Sequence, residues 1–237
     1  MGELPEVHSR PYTPGELDVL RLGRVPYRAA HALQQRLVER RVAGEVCDTL
    51  VLCEHDPVVT VGRGTPAPAL ADPTIEVVEV ERGGEATFHG PGQLVAYPIL
   101  ALPEGRRDLH RYLRELEGVV IDSLAEIEVE GERREGLTGV WVAGRKVCSI
   151  GVAVRRWVTW HGLALNLDAD LAAFTGFRPC GLDPAVMANV SEFREEPVHT
   201  LLFEVLLVSH LCRRFDLQLP PIPPPPPPDP NQLPILS

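Results

Sequence analysis

An α+β domain of mixed β-sheets with flanking helices is the fold class this sequence predicts, on three observations. Short β-like runs, T-L-V-L-C from Thr49, V-V-T-V from Val58 and I-E-V-V-E-V from Ile75, are set between Asp-Pro and Gly/Pro-rich turns. Helical periodicity interrupts the strands in a few places. The two types do not alternate strictly, which argues against a parallel βαβ sheet.

Taken in order, residues 26–43 read as a helix. Pro26 suits a first turn, Ala30, Leu33 and Leu37 make an apolar stripe, and Gly44 can end it. A second helix is predicted from about Asp108 to Ile127, with Leu109, Leu113, Leu116 and Val120 on one side. The stretch from Gly139 to Leu167 reads as a β-meander turning near Ala143–Arg145 and near Arg155–Arg156. A last helix, Leu201 to Phe215, is apolar on most sides and is expected to be buried. Residues 1–219 form one domain on this reading, and 220–237 a proline-rich tail. Its six consecutive prolines favour a polyproline II rod, either loosely packed or a ligand for aromatic-lined grooves.

Composition narrows the class. A chain of 237 residues, 44% hydrophobic and 24% charged, is ordinary for a soluble globular domain. It holds no apolar run near the ~18 residues of a membrane span, and its start lacks the basic and apolar regions of a signal peptide. The five cysteines are scattered without a C-x-x-C pair. That spacing argues against a disulfide framework or a zinc site, and for reduced thiols in the cytoplasm. A net charge of −10 disfavours a general attraction to nucleic acid. Arg106, Arg107, Arg111 and Arg114 nevertheless cluster, as a solvated helix face with Glu115 and Glu117 or as a docking patch for an acidic protein.

Four stretches carry candidate chemistry. In F-R-P-C-G-L, Cys180 stands between a proline that cannot donate to a sheet and a glycine that turns readily, which places the thiol on a bend. E-R-G-G-E-A-T-F-H-G-P-G-Q, from Glu81, is glycine-dense enough for backbone to approach a ligand. It matches neither a P-loop nor a dinucleotide fingerprint, and its alternative reading is two tight turns with His89 as a satisfied turn residue. In G-R-K-V-C-S-I-G, Lys146 is a lysine amid apolar strand sequence, either activating a thiol or exposed beside a hairpin. Cys148 shares its strand face and is the rival thiol. In T-W-H-G-L-A-L-N-L, His161 and Asn166 interrupt an apolar strand, and Gly162 is expected to open space opposite His161.

Together, R-G-G-x-x-T-x-H-G-P-G-Q with a following Y-P, then G-x-K-V-C-S-I-G, H-G-L-A-L-N-L and P-C-G-L, closely resemble the lipoyl(octanoyl) transferases. These are the octanoyl-carrier-protein:protein transferases of lipoate assembly. The resemblance runs from about His55 to about Ser191. It implies the α+β fold of the lipoate and biotin protein ligase catalytic domains, with Cys180 as acyl-accepting nucleophile and Lys146 as its activating partner. Arg82, Gly83, Gly84, Glu85, Ala86, Thr87, Phe88, His89, Ser149, Ile150, Gly151, Gly162, Leu163 and Ala164 would line the acyl site. His161, Gly90 and Gly92 are possible support for the oxyanion. The glycines at 83, 84, 151 and 162 are expected to leave room for the chain.

The implied partners are octanoyl-acyl carrier protein as donor, and lipoyl domains of 2-oxoacid dehydrogenase E2 subunits and the glycine cleavage H protein as acceptors. No cofactor, metal, nucleic acid or membrane is expected. The alternatives are an ATP-dependent lipoate or biotin ligase, which would not need Cys180, a non-catalytic module that binds acyl groups or partners, and a thiol hydrolase.

Overall fold

The computed structural model describes residues 12–63, 65, 74–174 and 177–221, the Cys180 side chain excepted. The proline run of the tail lies outside the described residues. Among the described residues, ten strands form two sheets. In the larger, the order is β1 (Leu17–Val25), β2 (Asp48–His55), β6 (Gln93–Ile99), β10 (Val158–Asn166), β9 (Arg145–Arg155), β8 (Leu137–Val142) and β7 (Glu132–Arg134). Its β1/β2 pair is parallel and the remaining pairs are antiparallel. The smaller sheet runs β4 (Glu76–Val80), β3 (Val58–Gly62), β5 (Thr87–His89), with β3/β4 parallel and β3/β5 antiparallel.

Strand periodicity explains why the larger sheet has helices on both faces. Along β2, Leu50 and Leu52 enter one core, Val51 and Cys53 the other. Helix α1 (Tyr27–Val42) covers the second face through Ala30, Leu33 and Leu37, as its stripe predicts. Helices α2 (Leu109–Ala125) and α3 (Thr200–Phe215) cover the first with Tyr112, Leu116, Val120, Phe203, Leu207 and Leu211. Asp108 caps α2 by accepting the Arg111 N–H at 3.0 Å. No helix among the described residues is long and apolar enough to cross a membrane.

The expectations fail in four places. Strand β1 was not anticipated; it pairs with β2 only after the chain has passed through α1, a non-local contact that the short window does not reveal. On α2, Leu109 is exposed, and the buried face centres on Tyr112, Leu116, Val119 and Leu124. Helix α3 is not enclosed: Leu201 and Val205 are 71% and 57% exposed on its outer side. The arginine cluster does not share one helix face either. Arg107 precedes α2 and lies over the Trp157 ring, Arg106 pairs with Asp216, and Arg114 pairs with Glu117.

Candidate functional site

A pocket opens where β5, β6, β9 and β10 meet the start of α1. Its rim is Gly83, Gly84, Ser149, Ile150 and Gly151, which are exposed or half-buried, and its depth is Tyr27, Tyr97, Thr87, His89 and His161, which are buried. Arg82, Gly162, Leu163 and Ala164 complete the wall. The structure thus brings together Arg82, Gly83, Gly84, Thr87, His89, Ser149, Ile150, Gly151, His161, Gly162, Leu163 and Ala164 from three separated blocks of sequence.

It does not bring in Ala86, Phe88, Glu85, Gly90 or Gly92. The pleat of β5 decides the first two: Thr87 and His89 face the pocket, while Ala86 and Phe88 face Val59, Phe174 and Phe177 on the other side. Gly92 serves close packing, since a Cβ there would fall within 3.0 Å of the Asp168 carbonyl, and its N–H points to Glu54 Oε2. Gly151 and Gly162 are not vacancies either. A Cβ on Gly162 would fall within 3.0 Å of the Ala96 carbonyl oxygen on β6, and one on Gly151 would sit 2.9 Å from the Gly83 carbonyl. Those glycines let backbones approach. At Gly83 a Cβ would make an ordinary 3.7 Å contact, so room remains on that rim.

Tyr27 and Tyr97 were not singled out from sequence. Tyr97 sits in the Y-P dipeptide, but the first-turn Tyr27 carries no local signal. Its ring stacks between His31 and His89, with centroids 5.9 and 5.8 Å away. The pocket imidazoles are neutral at pH 7. Burial, then the neighbouring His55, pushes His89 down to about 3. Burial also lowers His55 to about 4, and His161 to about 3. His55 donates from Nδ1 to the Val25 carbonyl at 2.9 Å and accepts the Tyr97 hydroxyl at Nε2 at 2.8 Å. His89 is a strand residue rather than a turn residue. It donates from Nδ1 to Gln93 Oε1 at 2.8 Å, and its Nε2 lies 3.3 Å from Thr60 Oγ1. Arg82 is buried, donating to the Thr60 carbonyl at 2.8 Å.

Lys146 lies outside the pocket wall and is buried, not exposed beside the hairpin. Its ammonium donates to the Thr138 carbonyl at 2.9 Å and stands 5.7 Å from the Trp141 ring centroid. The buried Glu117 carboxylate accepts the Gly139 N–H at 3.0 Å in the same corner, and pairs with Arg114 and Arg133. Cys148 is fully buried; burial pushes its thiol up to about 12 even though Lys146 lowers it, so it is a poor nucleophile.

Cys180 lies on a 3₁₀ turn, Pro179–Gly181, so the expected bend is present, while its side chain lies outside the described residues. A Cβ on Gly181 would sit 3.1 Å from Glu85 Oε2, which sets this turn beside the glycine rim. Phe177 and Met187, flanking the turn, anchor in the small-sheet core with Phe88. A hydrogen-bond chain continues from the pocket. Gln93 donates to Asn166 at 2.9 Å, Asn166 to the Ala188 carbonyl at 3.1 Å, and the Ala188 N–H to the Lys146 carbonyl at 3.0 Å. Asn166 is thereby explained as a tie between β10 and the segment beside Lys146.

Residues 26–211 match the model of the lipoyl protein ligase A/B catalytic domain. The chain belongs to this family. It is an acyltransferase: among its relatives, the octanoyltransferase of Syntrophotalea carbinolica is 46% identical over 194 residues, 82% of this chain and 92% of that one. The octanoyltransferase of Gloeobacter violaceus is 54% identical over 163 residues, 68% of this chain and 73% of that one. Among solved structures, a lipoate-protein ligase A bound with ATP is similar at TM-score 0.66 and 15% identity, covering 88% of each chain. The bipartite lipoate protein ligase of Thermoplasma acidophilum is similar at TM-score 0.68 and 18% identity, covering 86% of each. These two likenesses speak to the fold, which is the α+β ligase-type fold the motifs implied.

Proposed function

We propose that this chain moves an octanoyl group from octanoyl-acyl carrier protein to a lysine of lipoyl domains, through a thioester on Cys180. The observation that carries the reading is the identity to octanoyltransferases over nearly the whole length of one of them. The largely apolar pocket beside the Cys180 turn supports it as a slot for an eight-carbon chain, each CH₂ of which contributes about 0.8 kcal/mol on burial.

A free thiol with pKa near 8.5 is only a few per cent thiolate at neutral pH. The Lys146 ammonium stabilises the Cys180 thiolate once substrate draws the two together. The thiolate attacks the donor carbonyl, the C–S bond to the carrier breaks, and the carrier leaves as its own thiol after taking a proton. In the second half the lipoyl-domain amine attacks the Cys180 thioester. Lys146, neutral after giving up its proton, accepts one from the amine, and the Cys180 thiolate departs. Amide formation from a thioester runs downhill, so the acyl group needs no further activation. The Cys180 backbone N–H is the proposed oxyanion donor, since Pro179 has none and the Gly181 N–H donates to the Arg178 carbonyl. The acceptors would be lipoyl domains of 2-oxoacid dehydrogenase E2 subunits and the glycine cleavage H protein.

Intact-mass measurement after incubation with octanoyl-acyl carrier protein, without ATP, tests the route. The expected result is one octanoyl adduct mapped to Cys180, absent from Cys180→Ala and discharged by a lipoyl domain. An adduct on Cys148 would overturn the site. Transfer that appears only with octanoate and ATP would replace the reading with a ligase.

A further inference from the structure

Where α1, the Glu81 bend and β10 meet, three side chains converge. His31 Nε2 lies 3.1 Å from Glu81 Oε2, and His161 Nε2 lies 4.0 Å from the same oxygen. All three candidate ligand atoms fall within 4.8 Å of one another. The His31–Glu81 contact satisfies two of them. It leaves the third, because His161 is 2% exposed and its Nε2 is buried without a hydrogen-bond partner among the described residues.

The histidine is held there against local preference. His161 has φ 54° within a strand, a conformation costly for a non-glycine residue, and Gln34 Oε1 secures it by accepting its N–H at 2.8 Å. The Trp160 ring lies 4.4 Å from the His161 ring and 5.6 Å from the His31 ring, while Tyr27 stacks on His31. Both imidazoles are therefore oriented by packing before any ligand arrives.

We propose that His31, Glu81 and His161 form a binding site for a divalent transition-metal ion of the zinc class, which His161 joins to the wall of the pocket. Zinc–nitrogen and zinc–oxygen bonds of about 2.0–2.2 Å place neighbouring ligand atoms of a tetrahedral shell about 3.3–3.5 Å apart. The 3.1 and 4.0 Å distances to the Glu81 oxygen bracket that spacing, and the two imidazole nitrogens lie within 4.8 Å of one another. Three protein ligands leave the fourth position open. Two imidazoles with one carboxylate favour zinc, cobalt, nickel or copper over magnesium or calcium. Burial keeps His161 in the neutral form that a metal requires. The Arg82 guanidinium opposes a cation here, and the Glu81 carboxylate offsets it. The expectation of no metal rested on the cysteines, which take no part. Nor does the inference depend on the acyl-transfer reading.

The test titrates zinc into the full chain carrying Cys180→Ala, so that this thiol cannot compete, against a chromophoric chelator. One equivalent is expected to bind, with magnesium in excess unable to displace it, and zinc is expected to raise the thermal midpoint. His31→Gln and Glu81→Gln, each added to that background, are expected to weaken binding by at least about 100-fold, since loss of mere supporting groups costs about 10–100-fold. Both positions are partly exposed, so thermal midpoints without zinc report whether the variants fold. Absence of stoichiometric binding, or binding that survives both substitutions in folded protein, overturns the proposal.

Discussion

The two ends of the Arg145–Ser149–Gly151 run on β9 occupy opposite surroundings. At one end Lys146 and Cys148 are buried, beside Gly139, Trp141 and the Glu117 carboxylate. At the other, Ser149, Ile150 and Gly151 form the rim of an open pocket. One strand thus keeps charge where water is excluded and leaves binding space where water enters. The pocket wall, in contrast, sets neutral histidines beside the Arg82 guanidinium. Substitutions at the dry end should therefore disturb turnover and stability, and those at the rim should disturb affinity.

The largest break in that contrast is Lys146→Met. Methionine fills the same corner without a buried charge, so the fold should be retained. Turnover is expected to fall about 10²–10⁴-fold, the usual contribution of a positioned acid–base group, with KM for the donor little changed. Single-turnover acylation with octanoyl-acyl carrier protein checks it. Unaltered turnover would remove Lys146 from the proposed mechanism.

Glu117→Gln is next. It keeps the shape but removes the charge that Arg114 and Arg133 share and that stands in the Lys146 corner. Since both arginines are nearly half exposed, a loss of about 1.5–3 kcal/mol is expected, the worth of hydrogen bonds to a charged group. Urea unfolding measures it. If the two charges interact, the Lys146→Met, Glu117→Gln double variant should be less destabilised than the sum of the single ones.

The pocket side responds to acid instead. His55, His89 and His161 have folded pKa values of about 4, 3 and 3, below the ordinary 6.5. Between those values the unfolded chain binds more protons, so stability is full above about pH 6.5 and falls as pH drops toward the folded values. Thermal midpoints should decline from pH 7 to pH 5, and His89→Gln should flatten that decline. A midpoint that is level across the interval would mean that these histidines take up protons in the folded chain as readily as in the unfolded one.

The motifs made the pocket legible because each block supplies a contiguous wall. They overreached where a strand alternates: Ala86 and Phe88 belong to the motif but face the other way. Gly151 and Gly162 drew attention for the right reason, absence of a side chain, yet the neighbour that uses the space is backbone of this same chain. Tyr27 was hidden because it joins the pocket only when α1 folds over the sheet. His31 was hidden likewise, since on α1 it lies three residues before Gln34 and meets Glu81 only in the tertiary fold. Lys146 read correctly as a lysine in an apolar strand, but the Glu117 carboxylate in the same corner comes from α2 and no spacing rule links them.

The smallest expected effect sharpens the contrast within the rim itself. An alanine Cβ at Gly151 meets the Gly83 carbonyl at 2.9 Å and Arg82 Cδ at 3.1 Å, so the Gly83 segment must move away from β9. That segment is tied there by the Gly83 N–H donating to the Val152 carbonyl at 3.0 Å. Gly151→Ala should therefore cost about 1–3 kcal/mol, as overpacking does, and raise KM for the octanoyl donor by displacing the rim. Gly83→Ala faces only an ordinary contact and should stay within about 0.5 kcal/mol of the parent. Its effect would lie in how long an acyl chain the rim admits, read as the ratio of kcat/KM for octanoyl and decanoyl donors. Equal losses from the two alanines would mean that the rim yields freely, and that its glycines serve the turn rather than the close approach of backbones.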